Sequence, residues 1–233
     1  MKIQSTRAIH AQKQFVCVYG ASGTGKTTLV KTLEGPTLIL NAESGLGVLT
    51  GTDIDYISVA IGDKGELLSY PERFAKLKEF MAFVQTDDCK KKYKYLFIDS
   101  LTEVSQIIEK AIATQHKGWE MWAEYKTAMI DFLKFFRDAR VYDVVFTSLE
   151  DRRDEDAASY YAPNVGGKSV KEVLLSLFDE VYRLVIIEGK RTLVTQPTTK
   201  SQAKTRCRLI SATEPADLGL AFKKIRTIEG EKK

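Results

Sequence analysis

The 233-residue chain reads as an α/β protein: a mostly parallel central sheet flanked by helices, with a C-terminal antiparallel β-hairpin extension. Three observations predict this. Short apolar runs alternate with stretches whose apolar residues recur at helical spacing, the pattern of strands buried on both faces and their crossover helices. A complete glycine-rich loop joins the first apolar run to a helical segment. Late in the chain, Glu180 to Ile187 and Arg191 to Thr195 flank Glu188-Gly189-Lys190, a hairpin signal.

The elements follow in order. After a polar lead-in over residues 1–14, Phe15-Val16-Cys17-Val18-Tyr19 is the first buried strand. Gly20-Ala21-Ser22-Gly23-Thr24-Gly25-Lys26-Thr27 then matches G-x-x-x-x-G-K-[ST] in full, and Thr28 opens a helix that reaches Leu33. In such a loop the backbone curls so that successive N–H groups point inward around a phosphate chain, and a helix N-terminus adds partial positive charge. Lys26 would reach the β- and γ-phosphates, and the Thr27 hydroxyl would ligate Mg²⁺. A glycine-rich turn with a chance lysine could match the letters, but it would not require the strand before and the helix after. The stretch is a site for a nucleoside triphosphate.

Pro36 closes that helix, and Thr37-Leu38-Ile39-Leu40-Asn41 is a second strand. The loop from Ala42 to Gly47 puts the Glu43 carboxylate at the carboxyl edge of the sheet, where ligands bind in open α/β folds. Tyr56 to Val59 is a third strand, and Phe74, Leu77, Met81 and Val84 mark a helix from Pro71 to about Gln85. Asp87 to Lys92 reads as a polar loop. Tyr95-Leu96-Phe97-Ile98-Asp99 is an apolar strand ending in an acid, the Walker B pattern, which would hold Asp99 toward Mg²⁺ and Thr27.

Two amphipathic helices follow, one on Leu101, Val104, Ile108 and Ile112, the other on Trp122, Tyr125, Met129, Phe132 and Phe136. Their join, Gln115 to Glu120, is a basic, aromatic loop that fits a plain connector or a contact with single-stranded nucleic acid. Val144 to Ser148 is another strand. Beyond it Glu150 to Lys168 is a long polar loop carrying Arg152, Arg153, Tyr160, Tyr161 and Lys168, diluted by acids such as Asp151 and Asp154. Its composition fits DNA contact and passive disorder equally. A short helix on Val170, Val173, Leu174 and Leu177 precedes the hairpin. The cationic, acid-free stretch Gln196 to Arg206 reads as a solvated edge or as cations aimed at a neighbouring subunit's nucleotide.

Composition sets the outer limits. Hydrophobic residues at 44% and charged residues at 28% are ordinary for a globular chain, and a net charge of +4 permits nucleic-acid binding without demanding it. Three separated cysteines and two isolated histidines exclude a disulfide scaffold or a zinc site of the usual spacings. The N-terminus lacks an apolar signal segment, and no apolar run approaches the roughly 18 residues of a membrane span. The expectation is a cytoplasmic protein with no membrane partner. One domain over residues 1–233 is expected, its core at about 12–212 and its tails polar.

Together these motifs resemble the RecA-like P-loop ATPases, and within them the short phage recombinases of the Sak type, in the phage nucleotide-binding AAA family. Asn41-Ala42-Glu43 is similar to the segment where that family keeps its catalytic glutamate, so Glu43 would orient and deprotonate the attacking water. Leu96-Phe97-Ile98-Asp99-Ser100 matches the Walker B strand. The stretch after Ser148 falls at the family's second DNA-binding loop, with Pro163 and Gly166-Gly167-Lys168 typical of the phage branch. Ala203-Lys204-Thr205-Arg206 resembles a K-x-R element that enters the next subunit's site, which would make Lys204 and Arg206 trans fingers on the transferring phosphoryl group. One departure is visible: where the family has a polar sensor after Walker B, the nearest residues are Thr147, Ser148 and Glu150, with Leu149 at the expected position.

The resemblance implies a protein that uses ATP and Mg²⁺, binds single-stranded DNA and promotes homologous recombination or strand annealing. It implies a homo-oligomer, as a ring or a DNA-templated filament, with a single-strand-binding protein as a further partner. The location would be the host cytoplasm if the gene is a phage one. Two other readings share the motifs: a RecA-core DNA motor or helicase loader, and a nucleotide-dependent switch that binds a protein partner.

Overall fold

A computed structural model describes residues 13–155 and 158–230. The strands are β1 (Phe15–Gly20), β2 (Thr37–Asn41), β3 (Asp55–Ser58), β4 (Tyr95–Asp99), β5 (Asp143–Glu155), β6 (Ala158–Pro163), β7 (Glu180–Ile187), β8 (Lys190–Val194) and β9 (Thr213–Pro215). The helices are α1 (Tyr70–Phe83), α2 (Asp87–Lys92), α3 (Leu101–Ile112), α4 (Gly118–Ala139), α5 (Lys168–Leu177) and α6 (Leu218–Gly230). The sheet runs β3-β2-β4-β5-β1-β7-β8-β9, with β6 paired to β5 off that path. From β3 to β7 every pairing is parallel, and β7-β8-β9 are antiparallel.

Alternation along β1 divides the core. Phe15, Cys17 and Tyr19 face a layer built from α1, α3, α4 and α5 through residues such as Leu77, Ile108, Met129, Phe132 and Leu174. Val16 and Val18 face the other side, where Leu29, Val30, Phe222 and Ile225 cover the sheet. Each large apolar side chain buried this way contributes about 1.5–3 kcal/mol, so the two layers hold the parallel strands between them.

Several elements differ from expectation. Residues 1–12 of the polar lead-in lie outside the described residues. The segment after the glycine-rich loop is a 3₁₀ turn, Thr27–Thr32, with i→i+3 bonds such as Leu33 N to Val30 O at 3.2 Å, instead of an α-helix. Only six residues fit before Gly35 (φ +144°) and Pro36 turn the chain, so little helix dipole is aimed at the loop. Asp87–Lys92, expected as a loop, is α2: the Thr86 hydroxyl caps it from Cys89 N, acids open it and lysines close it.

The long polar stretch after Ser148 is the largest correction. It is an antiparallel arm in which β5 runs on past the sheet and folds back as β6, pairing Glu150 with Pro163 and Glu155 with Ala158. The expected polar C-terminal tail is also structured, for β9 completes the hairpin's sheet and α6 stacks Phe222 on Tyr95 at 5.8 Å. Leu218, Ala221, Phe222 and Ile225, all buried, give α6 a helical stripe that the sequence displays.

Candidate ATPase site

The site lies where three parallel strands end together beside a fourth that continues. Gly20 closes β1, Asn41 closes β2 beside Asp99 of β4, and β5 runs past them with Leu149 opposite Gly20. Gly25 adopts φ +97°, a left-handed conformation that glycine takes without strain. Lys26, only 8% exposed, donates to Gly20 O at 3.0 Å and Ala21 O at 2.8 Å. Burial lowers its pKa, while the Glu43, Asp99 and Glu150 carboxylates push it back up. Thr24 is buried and caps the turn onto Ala21 O at 2.9 Å; Ala21, Ser22 and Gly23 form the exposed outer bend.

Asp99 is almost fully buried, with both of its oxygens engaged. Thr27 Oγ1 donates to Oδ2 at 2.7 Å, and the Thr147 hydroxyl donates to Oδ1. The Asp99–Ser100 peptide is cis, and the Asp99 carbonyl accepts from Ala42 N at 2.7 Å and Glu43 N at 3.1 Å. Those two bonds fix the Glu43 backbone beside the aspartate. Its carboxyl is held above the usual range by desolvation against the loop and then by the Asp99 charge, with a Ser100 hydrogen bond and Lys26 opposing. The side chain is open to solvent on its outer side, so a water can reach it.

A hydroxyl and a carboxylate at 2.7 Å, beside a buried lysine and a loop of backbone donors, are a suitable donor set for Mg²⁺ on a triphosphate. Thr27 and Asp99 would hold the ion, which supplies charge neutralisation to phosphoryl oxygens. Among the described residues no group of three or more His, Cys, Asp or Glu side chains could hold a metal ion. A cavity of about 550 Å³ between α1, α3 and α4 is lined by Phe74, Met81, Ile112 and Phe132 and includes none of these groups.

The remaining expected residues are dispersed. Lys204 pairs in a bridge with Val181, opposite Cys17, about 10 Å down β1 from Gly20. Its ammonium closes the end of α5 on Leu175 O (3.1 Å) and Phe178 O (2.7 Å), and Arg206 pairs with Asp179 at 2.7 Å. Both are therefore engaged within their own chain, away from its glycine-rich loop.

On the arm, Arg152 is exposed and bonds Ser159, and Lys168 is exposed at the first turn of α5. Arg153 is largely covered, donating to Pro163 O at 3.1 Å, and Tyr160 is half-buried. Tyr161 is turned inward, with the Arg183 guanidinium 3.9 Å over its ring. The arm thus presents part of the expected cationic and aromatic set outward and folds the rest into its base.

Two features escaped the sequence reading. Arg183 of β7 bonds Glu150 at 2.9 Å, tying the arm's base to the strand beside β1. Arg191 of β8 reaches back to the glycine-rich loop and donates to Thr24 O at 3.0 Å. Neither has a local signal, because both depend on which strands become neighbours.

A family model described as AAA domain matches residues 12–207. No curated protein matches. Similar solved structures include a prototypical ATPase from the type III secretion system of pathogenic bacteria, at 15% identity and TM-score 0.49, covering 75% of this chain and 51% of that one. Another is the assembled ATPase EscN from the enteropathogenic E. coli type III secretion system, at 15% identity and TM-score 0.47, covering 77% of this chain and 46% of that one. The chain spans about half the length of these secretion ATPases. No described helix is long and apolar enough to cross a membrane. By the span of the family match and by its glycine-rich loop, the chain belongs to the AAA domain family and is a P-loop ATPase that uses ATP and Mg²⁺.

Proposed function

We propose that ATP binding and hydrolysis at Lys26, Thr27, Asp99 and Glu43 control the grip of this protein on single-stranded DNA, in recombination or strand annealing of the short phage RecA-like kind. The observation that carries this reading is the continuity of β5. Thr147 on that strand touches the metal-site carboxylate, and five residues further along Arg152 projects from the arm. One strand therefore spans from the carboxylate that senses the phosphates to the outward-facing cation, and the Glu150–Arg183 pair braces it midway.

A second surface supports the same reading. Trp119 is 77% exposed and Trp122 43% exposed at the start of α4, and a Cβ built on Gly167 would lie 3.6 Å from the Trp122 ring. The Trp122 indole thus adjoins the start of α5, where Lys168 is exposed, and Trp119 precedes it by one helical turn. Aromatic platforms beside cations suit bases and phosphates of a single strand, with stacking of about 1–3 kcal/mol per base. In an oligomer, Arg206, with more than half of its side chain exposed beside Asp179, is the better placed trans finger; Lys204 would first have to leave the α5 carbonyls.

The test is ATP turnover with and without single-stranded DNA, together with fluorescence anisotropy of a labelled strand. We expect DNA to accelerate turnover, binding to weaken steeply with salt, and Trp119→Ala to lower DNA affinity by about fivefold or more. DNA that neither binds nor changes turnover would remove this reading and leave the bare ATPase.

A further inference from the structure

The β7–β8 hairpin forms one wall of the glycine-rich loop. A Cβ built on Gly20 would lie 2.4 Å from the Leu184 carbonyl of β7, and one built on Gly25 would lie 2.8 Å from Arg191 Nε of β8. Both glycines of the motif are thus in close contact with the hairpin, at a distance no other residue could occupy without displacing it. The approach at Gly25 is made by a cationic side chain, and Arg191 Nε is fixed on Thr24 O at 3.0 Å.

The charge of Arg191 is unbalanced. Eight other described arginines pair with carboxylates, at distances from 2.6 Å for Arg226–Asp143 to 3.8 Å for Arg73–Glu103. Arg191 has no carboxylate partner among the described residues, and its one hydrogen bond goes to a loop carbonyl. Its guanidinium is therefore anchored at the rim of an anion cradle with its η N–H groups directed to no acid. Lys26 Nζ is turned to Gly20 and Ala21, at the start of the loop. The two cations are thus held on different carbonyls of the one loop.

From this geometry we propose that Arg191 is a nucleotide-binding residue of its own chain's site, contacting the phosphates nearest the nucleoside. The inference rests on the glycine-rich loop being the triphosphate site. It assigns Arg191 a role in holding nucleoside diphosphate and triphosphate alike, whereas a cation at the terminal phosphate would favour the triphosphate. A hydrogen bond to a charged group, once removed, weakens binding by roughly tenfold or more.

Arg191→Gln and Arg191→Lys separate charge from simple bracing of the loop, because glutamine can still donate to Thr24 O but carries no charge. Calorimetric titration with ADP and with ATP should show Arg191→Gln about tenfold weaker for both and Arg191→Lys within about threefold of the parent. Turnover at saturating ATP should change less than about twofold, since contacts common to both states alter binding without altering kcat. Wild-type affinity in Arg191→Gln overturns the inference, as does a loss confined to ATP. A nucleotide-free melting temperature that falls together with affinity also overturns it, because Arg191 would then only brace the loop. A wild-type chain that binds neither nucleotide removes the triphosphate site itself, and this inference with it.

Discussion

The two ends of the central sheet handle charge in opposite ways. At the amino end, Asp143 accepts from Gln14 N and Arg226, and Asp179 accepts from Phe15 N, Arg140 and Arg206. Both acids are buried and both are neutralised by arginines of the same chain. At the carboxyl end, the cations Lys26 and Arg191 are held by loop carbonyls. A carbonyl satisfies a proton without cancelling the charge, and the carboxylates of Glu43, Asp99 and Glu150 act on Lys26 through space, without an ion pair among the described residues. The contrast separates electrostatics that complete the fold from electrostatics directed at an anionic substrate, and both kinds flank the same strand, β1.

Substitution can break the comparison most sharply at the carboxyl end. Lys26→Ala should reduce ATP turnover by at least about 10³-fold in a steady-state assay, with little change in the denaturation midpoint. Glu43→Gln should lower turnover by about 10²–10⁴ while a fluorescent nucleotide still binds. Near-parental turnover in that variant would remove Glu43 as the base. The raised Glu43 pKa adds a pH signature. The active form is the carboxylate, so turnover should fall on acidification at a higher pH than an ordinary glutamate would set. That acid limb should vanish in Glu43→Gln.

At the amino end the expected outcome is reversed. Asp143→Ala leaves Arg226 and Gln14 N without their acceptor and should cost about 2–4 kcal/mol of stability in urea denaturation. Nucleotide affinity below the transition should stay near the parental value. A large loss of affinity with unchanged stability would mean that the two ends are not separable. Lys204→Ala gives the smallest effect, about 1 kcal/mol, from losing the cation on the α5 carbonyls.

Where a motif is written in consecutive residues, its place in the fold was legible. The Gly20–Thr27 loop, the Asp99 strand end and the Glu43 loop are local patterns, and all three converge on one sheet edge. The arm was obscured because Asp151, Arg152, Arg153 and Asp154 carry the polarity of a loop. Their pairing with Ser159 to Ala162 is a property of two segments together. The α6 stripe was readable but lay beyond the last motif. Arg191 could not be found by any window, since its position over Gly25 follows from β7 lying beside β1 and β8 beside β7.

The arm also has an arithmetic of its own. Arg152, Asp154, Ser159 and Tyr161 occupy one face of the β5–β6 pair, and Asp151, Arg153, Tyr160 and Ala162 occupy the other, which Lys171 of α5 meets at Asp151. Removing one residue from each strand would keep the ladder but exchange the faces of everything distal to the cut. Removing two from each would restore them. The arm can therefore be shortened or lengthened only in even steps if its outward chemistry is to be kept, so its length is constrained by parity as well as by reach.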